Sequence, residues 1–300
     1  AAVFARTQTD KTVVKLAATG EALHPATKEP LRPWGMTEEQ ARARGEADRR
    51  AIFADWLTRP GNPYFARVEV NRIWADLLGR GIVEPVDDFR SSNPPANAPL
   101  LDALAREFES RGFDRKHIIQ LICNSRTYQR STETNRFNET DESLFSHARI
   151  RLLTAEQVKD AIAVATRSLA AVPENDAQRA RYATQRPYPE PSTLTVAFGQ
   201  PQRETACTCE RQSSPTLQQA LELLNGGTAH QLARTGAGKY ARLTNPELVE
   251  ELYLSALCRT PTPRERATAL AYLANAEDRN EAVMDLVWTL VNTQEFLFQH

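Results

Sequence analysis

From Pro33 onward, apolar residues recur at spacings of three and four, the period of a helix with one face turned inward. Between residues 65 and 78 the stripe is Phe65, Val68, Ile73 and Leu77. Between 99 and 111 it is Leu100, Leu101, Leu104 and Phe108, and between 114 and 128 it is Ile118, Ile119, Leu121 and Ile122. Start and stop signals bound these stripes. Thr37-Glu38-Glu39 offers a cap and an acidic first turn for a helix that runs to Leu57, where Pro60-Gly61 stops it. Asn62-Pro63, Asn245-Pro246 and Thr262-Pro263 each place a capping side chain before a proline suited to a first helical turn. Thr154 and Gln157 can form a capping box for a helix to about Ala171. Further helices are predicted over 215–225, 228–234, 245–258, 263–275 and 279–298. The last carries Val283, Leu286, Val287, Leu290, Val291, Phe296 and Leu297, enough to bury a broad face.

The short Gly112-Phe113 link makes the helices on either side antiparallel neighbours. Residues 2–7 and 12–16 lean to β-structure around Thr9-Asp10-Lys11, which predicts a small hairpin. A turn-rich bridge follows, with prolines at 25, 30 and 33. Residues 82–97 and 172–214 are rich in proline and read as long structured loops, and 131–146 is polar. The expected fold is mainly α: an irregular bundle of about nine or ten helices with long loops and a small N-terminal β-hairpin. Residues 1–33 read as a β-leaning segment and linker, the end of an upstream region. Residues 34–300 read as the helical domain, with possible lobes at 34–171 and 215–300 joined through 172–214. Alternatively, the last helices pack on the first as one body.

Composition narrows the function classes. With 41% hydrophobic and 25% charged residues, the chain is neither wholly disordered nor a disulfide-dense miniprotein. No apolar run is long enough for a membrane span, so no membrane insertion is expected. A net charge of −1 gives no global electrostatic case for nucleic acid. The chain starts Ala1-Ala2-Val3-Phe4, without Met or a signal segment, as expected of a processed protein or an excised C-terminal portion.

Candidate chemistry lies in four places. Cys207-Thr208-Cys209-Glu210-Arg211 holds two thiols that can chelate a soft metal or close a strained disulfide. Cys123, Cys258, His147 and His230 are the other available ligands, although Cys123 and Cys258 lie in apolar helical stretches and read equally as core residues. No C-x-x-C-H occurs, so no cofactor, and no c-type haem in particular, is expected in this chain. Asp87, Asp88 and Arg90 follow Gly81 in the first proline-rich loop. Paired carboxylates can hold Ca²⁺ or act as acid and base. The alternative is a turn cap and local ion pairs, with Arg72 as a partner for Asp87 or Asp88. Asn71 and Trp74 share a helix face and, with Arg72, can line a sugar-binding cleft or sit in the core. Glu156 and Asp160 share another face, preceded by Arg149 and Arg151, and suggest a buried arginine–carboxylate network. In the second long loop Tyr182, Tyr188, Phe198 and Arg203 either bind a peptide or glycan or staple the loop down. No phosphate-binding, dinucleotide-binding, zinc-protease or serine-hydrolase motif occurs.

Several stretches together resemble one family. They are Asp55-Trp56-Leu57-Thr58 with Asn62-Pro63-Tyr64-Phe65-Ala66-Arg67 and Asn71-Arg72, then Gly79-Arg80-Gly81-Ile82-Val83-Glu84-Pro85-Val86-Asp87-Asp88-Phe89-Arg90, Ser125-Arg126-Thr127-Tyr128, Ala155-Glu156-Gln157, Phe198-Gly199, Cys207-Thr208-Cys209-Glu210-Arg211, Arg259 with Pro261-Thr262, and Glu295-Phe296-Leu297. In this order they resemble the planctomycete-specific C-terminal domain of unknown function, catalogued as family fifteen-fifty-three, over roughly residues 30–300. The resemblance carries over no catalytic residues. It implies a place at the C-terminus of a large exported protein, periplasmic or at the cell surface, with upstream domains of the same polypeptide as partners and haem only in an upstream cytochrome-c-type domain. Disulfides suit that compartment. Two functions follow as expectations: a non-catalytic scaffold or binding module, whose ligand is an extracellular glycan or protein, or a catalytic domain acting on an extracellular polymer or coupled to redox chemistry. The second would build its site from Asn71, Arg72, Trp74, Asp87, Asp88, Arg90, Arg203, Glu210 and Arg211.

Overall fold

The computed structural model describes residues 2–10, 13–17, 19–31, 48–168, 182–186, 190–201, 216–227, 231, 234, 240 and 242–299. The chain divides into two compact units, Ala1–Ala148 and Arg149–His300. The division falls before the helix opened by Thr154, because Val158 and Ile162 of that helix are buried in the core of the second unit.

In the first unit, a 3-10 turn (Ala2–Phe4) precedes an antiparallel hairpin, β1 (Thr7–Asp10) and β2 (Val13–Leu16), with Thr7 opposite Leu16. The hairpin is the predicted one. Glu21 then joins Arg6 to Arg49 through ion pairs of 3.1 and 3.0 Å. Helix α1 (Arg49–Leu57) is capped by Asp48, and its Phe53 meets Phe4 edge-on and stacks on Trp56. Asn62 Oδ1 accepts from the N–H groups of Tyr64 and Phe65, while its Nδ2 donates to the Trp56 carbonyl. One side chain therefore closes α1 and opens α2 (Phe65–Leu78), which starts two residues later than the cap-and-proline pattern suggests, with Tyr64 in the cap position. Helices α3 (Ala98–Ser110) and α4 (Arg115–Cys123) complete the bundle, capped by Asn97 and Asp114.

The face that α2 buries differs from the predicted stripe. Ala66, Val70, Ile73 and Trp74 point inward, while Phe65, Val68 and Leu77 are only partly buried. The helix is turned toward Ile82 and Val83, which fold back into the same core as Leu101, Phe108, Ile118 and Ile122. The helix predicted over 114–128 also stops early. Asn124 bonds back to the Gln120 and Ile122 carbonyls, and Ser125 Oγ accepts from Tyr128 N–H in a following turn.

The second unit holds α5 (Ala155–Ala165), a 3-10 turn (Ala183–Gln185), α6 (Thr193–Ala197), α7 (Leu217–Asn225), α8 (Asn245–Leu257), α9 (Pro263–Asn275), α10 (Arg279–Val291) and α11 (Gln294–Leu297). A two-residue ladder pairs β3 (Arg151–Leu152) with β4 (Phe298–Gln299). The capping boxes at Thr154, Thr244 and Thr262 form with Gln157, Glu247 and Glu265. Two short helices were not foreseen. Helix α6 opens with a Ser192–Thr195 box inside the predicted loop. Helix α11 arises because Thr293 caps Phe296 and so breaks the predicted 279–298 helix in two. The described residues thus hold eleven α-helices against nine or ten expected, and the mainly α class with its small hairpin stands. Of the helix predicted from Thr37 to Leu57, residues 37–47 lie outside the described residues and 49–57 form α1, and the helix predicted over 228–234 falls largely outside them. No helix among those described is long and apolar enough to cross a membrane.

Candidate functional site

The sequence candidates between 71 and 93 come together as a lock on the loop after α2. Asn71, fully buried, accepts from Val83 N–H at 2.9 Å and donates to the carbonyls of Val83 and Val86 at 3.0 and 2.8 Å. Gly81 permits this approach, since a Cβ there would overlap the Val83 carbonyl oxygen and stand 2.9 Å from Asn71 Nδ2. Arg72 meets Asp87 in a two-point fork of 2.8 and 3.1 Å, which raises the guanidinium above its ordinary range. Asp88 and Arg90 form a second fork of 2.7 and 2.6 Å, and the Arg90 hydrogen bond lowers the Asp88 carboxyl. Asn93 Nδ2 donates to the carbonyls of Glu84 and Asp88. Trp74, at 3% exposure, lies in the core with its ring edge-on to Phe145. Asp87 and Asp88 each have a guanidinium, Glu84 Oε2 accepts from the Gly81 N–H, and the amides of Asn71 and Asn93 serve the backbone.

The other candidates are placed differently. Asp160 accepts from the N–H groups of Ala183 and Thr184 and from Thr184 Oγ1, so it caps the 3-10 turn instead of joining an arginine network. Arg151 reaches Gln299 Oε1 across the β3–β4 ladder. Phe198 is buried at 2% exposure and pins its loop to the core. Cys123 is half-buried and Cys258 exposed, both as free thiols. Cys258 is no core residue, because it takes the left-handed cap position that ends α8, at φ 55°. Arg203, Cys207, Cys209, Glu210, Arg211, Tyr188 and His230 lie outside the described residues. Among the described residues, no group of three His, Cys, Asp or Glu side chains stands together as a metal site.

The feature missed in the sequence is a groove of about 570 Å³ in the second unit. Tyr253 of α8, Arg264, Glu265, Thr268, Ala269 and Tyr272 of α9, and Asp285, Leu286, Trp288 and Thr289 of α10 line it. The core faces of α9 and α10 carry Leu273, Val283 and Val287, which do not line the groove, while Tyr272 and Trp288 do. The Tyr272 hydroxyl donates to Asp285 Oδ2 at 2.6 Å, and this bond to a carboxylate holds the phenol above its usual range. Burial raises the Tyr253 phenol, whose ring lies 5.6 Å from the Arg259 guanidinium.

One wall is fixed by a charge triad. Arg259 forks to Glu295 at 2.6 and 2.8 Å and to Glu265 at 2.9 and 2.9 Å. Glu295 and then Glu265 raise the guanidinium. Glu265 is lowered to about 2 by Arg259 first and then by the Thr262 N–H. A carboxyl lowered from 4.5 stabilises the fold fully above its unfolded value and loses that contribution as pH falls through the folded one. The second unit is therefore expected to lose stability between about pH 5 and about pH 2. Glu265→Gln should flatten that fall, as read by thermal unfolding at stepped pH.

No curated protein matches the chain, and no solved structure matches it. A family model does, across residues 49–273, from the first residue of α1 to near the end of α9, a span that takes in the Asn71 lock, α5 and the groove residues of α8 and α9. The motifs read in the sequence and this match agree, and the chain belongs to the family described as PSD1, protein of unknown function (DUF1553).

Proposed function

We propose that this chain is a non-catalytic helical scaffold and binding module, and that it takes its ligand in the groove between α8, α9 and α10. One observation carries the reading. Asn71, Arg72, Asp87, Asp88, Arg90 and Asn93 are engaged with one another and with the backbone, whereas the groove presents aromatic rings beside two charged groups, Arg264 and Asp285, that make no ion pair among the described residues. A catalytic centre needs uncommitted titratable groups facing a reacting atom. A binding groove needs apolar area with a few convergent polar groups, within about 300–1,000 Å³. The family resemblance supports the wider setting: the C-terminal part of a large exported polypeptide, periplasmic or at the cell surface, whose haem belongs to an upstream cytochrome-c-type domain.

The test is an NMR screen of the whole chain against small aromatic, cationic and carbohydrate fragments. Fragments should shift resonances of α8, α9 and α10, lose that effect in Trp288→Ala, and be recovered chemically unchanged. Conversion of any fragment, or binding confined to residues 71–93, would sink the reading.

A further inference from the structure

We infer that the groove binds a neutral pyranose chain and holds it without cleaving it. The inference rests on the binding-module reading and names its ligand class.

The aromatic content comes first. Tyr253, Tyr272 and Trp288 all line the groove, with Tyr272 44% exposed and Trp288 and Tyr253 half-buried. None of the three stacks on another among the described residues. The Arg259 guanidinium lies over the Tyr253 ring, so Tyr272 and Trp288 are the groove rings with no ring or cation partner among the described residues, and such rings at a solvent boundary suit a ligand that is apolar on one face and polar at its edge. A pyranose ring has that character, with C–H groups on its face and hydroxyls around its rim.

The polar groups then select among ligands. Asp285 uses Oδ2 for the Tyr272 hydroxyl and has no partner at Oδ1 among the described residues. Thr268 and Thr289 donate their protons to the carbonyls of Arg264 and Asp285 within their own helices, so they turn lone pairs outward. Arg264 supplies donors. A groove with acceptors, donors and, beside the Glu265 carboxylate paired with Arg259, one charge of each sign without an ion pair among the described residues is matched by groups that both donate and accept and carry no net charge. Hydroxyls do so. A cationic ligand would face Arg264, and an anionic one would face Asp285.

Cleavage is a separate matter. Glycoside hydrolysis uses two carboxyl groups, one of them a proton donor. Of the two described carboxylates in the groove, Glu265 has both oxygens taken by Arg259 and the Thr262 N–H. Only Asp285 remains, which gives a subsite and no acid–base pair.

The experiment titrates cellohexaose, mannohexaose and xylohexaose into the whole chain by calorimetry and searches the mixture for shorter products by mass spectrometry. At least one hexasaccharide should bind and remain intact. Trp288→Ala should weaken it by roughly tenfold or more. Asp285→Asn, which keeps the side-chain shape and the Tyr272 bond, should weaken it severalfold and guards against misfolding of the tryptophan variant. Hexasaccharide binding unaffected by both variants, or products shorter than the starting chain, overturns the inference. Benzyltrimethylammonium is titrated in parallel. If it binds through Asp285 while no hexasaccharide does, the carbohydrate class is wrong and the binding module stands. If nothing binds, both fall.

Discussion

Asn71→Ala is expected to destabilise the first unit by roughly 3 kcal/mol, the cost of stranding buried backbone groups at about 1–3 kcal/mol each. The wild-type amide satisfies three of them: Val83 N–H, Val83 C=O and Val86 C=O. Val83 is 1% exposed, so water cannot replace the lost partner there without opening the core. Asn71→Leu, close in volume, should cost at least as much, because it fills the space but neither donates nor accepts. That contrast separates hydrogen bonding from cavity formation. Hydrogen exchange resolved to peptides from α2 and α3 is the right readout, since the two units need not unfold together. Unchanged protection in both variants would mean that the loop is held by something other than Asn71.

Tyr240→Ala should cost the second unit about 3–5 kcal/mol, as large aromatic truncations in packed cores do. Tyr240 is fully buried, its hydroxyl donates to the Ala165 carbonyl at 2.6 Å, and the Arg167 guanidinium lies 4.8 Å from its ring centre. Ala165 ends α5, so the phenol satisfies a carbonyl that the helix itself leaves open. Tyr240→Phe keeps the ring and loses that bond together with the long 3.5 Å contact to Ser255 Oγ, and about 1 kcal/mol is expected. Urea unfolding followed by far-ultraviolet dichroism measures both. Equal losses for Phe and Ala would place the whole effect in the hydroxyl and contradict the packing argument.

Local signals were legible where one short segment decides the outcome. Thr262-Pro263 with Glu265 opens α9 at the residue the pattern names, and Thr154 with Gln157 opens α5. Such boxes are complete within four residues. Less legible were the helix ends. The stop of α4 at Cys123 and the break between α10 and α11 turn on Asn124, Asn292 and Thr293, polar residues that also stand inside helices. The rotation of α2 was not legible either. Phe65, Val68 and Leu77 are as apolar as Val70 and Trp74, and only the folding of Ile82 and Val83 onto the helix chooses between the two faces.

The candidate site divides the same way. Sequence alone raised Asn71, Arg72, Asp87, Asp88 and Arg90 as a group, along with the bland alternative of local pairing, and the Arg72–Asp87 fork was among its options. It had no means to weigh them, because one set of residue types builds an active site or a structural lock. The groove was invisible. Tyr253, Arg264, Tyr272, Asp285 and Trp288 sit on three helices, spaced from each other by intervals that carry no motif.

The order of hydrophobic and polar residues by itself determined a mainly helical chain, the caps at Thr154 and Thr262, the small hairpin and the family motifs, because each depends on contacts within a few residues. Tertiary structure decided which helix face is buried, which carboxylates are matched by arginines, and which aromatics remain at a surface. Those depend on residues tens of positions apart, and the free energy that selects them exists only once the helices pack.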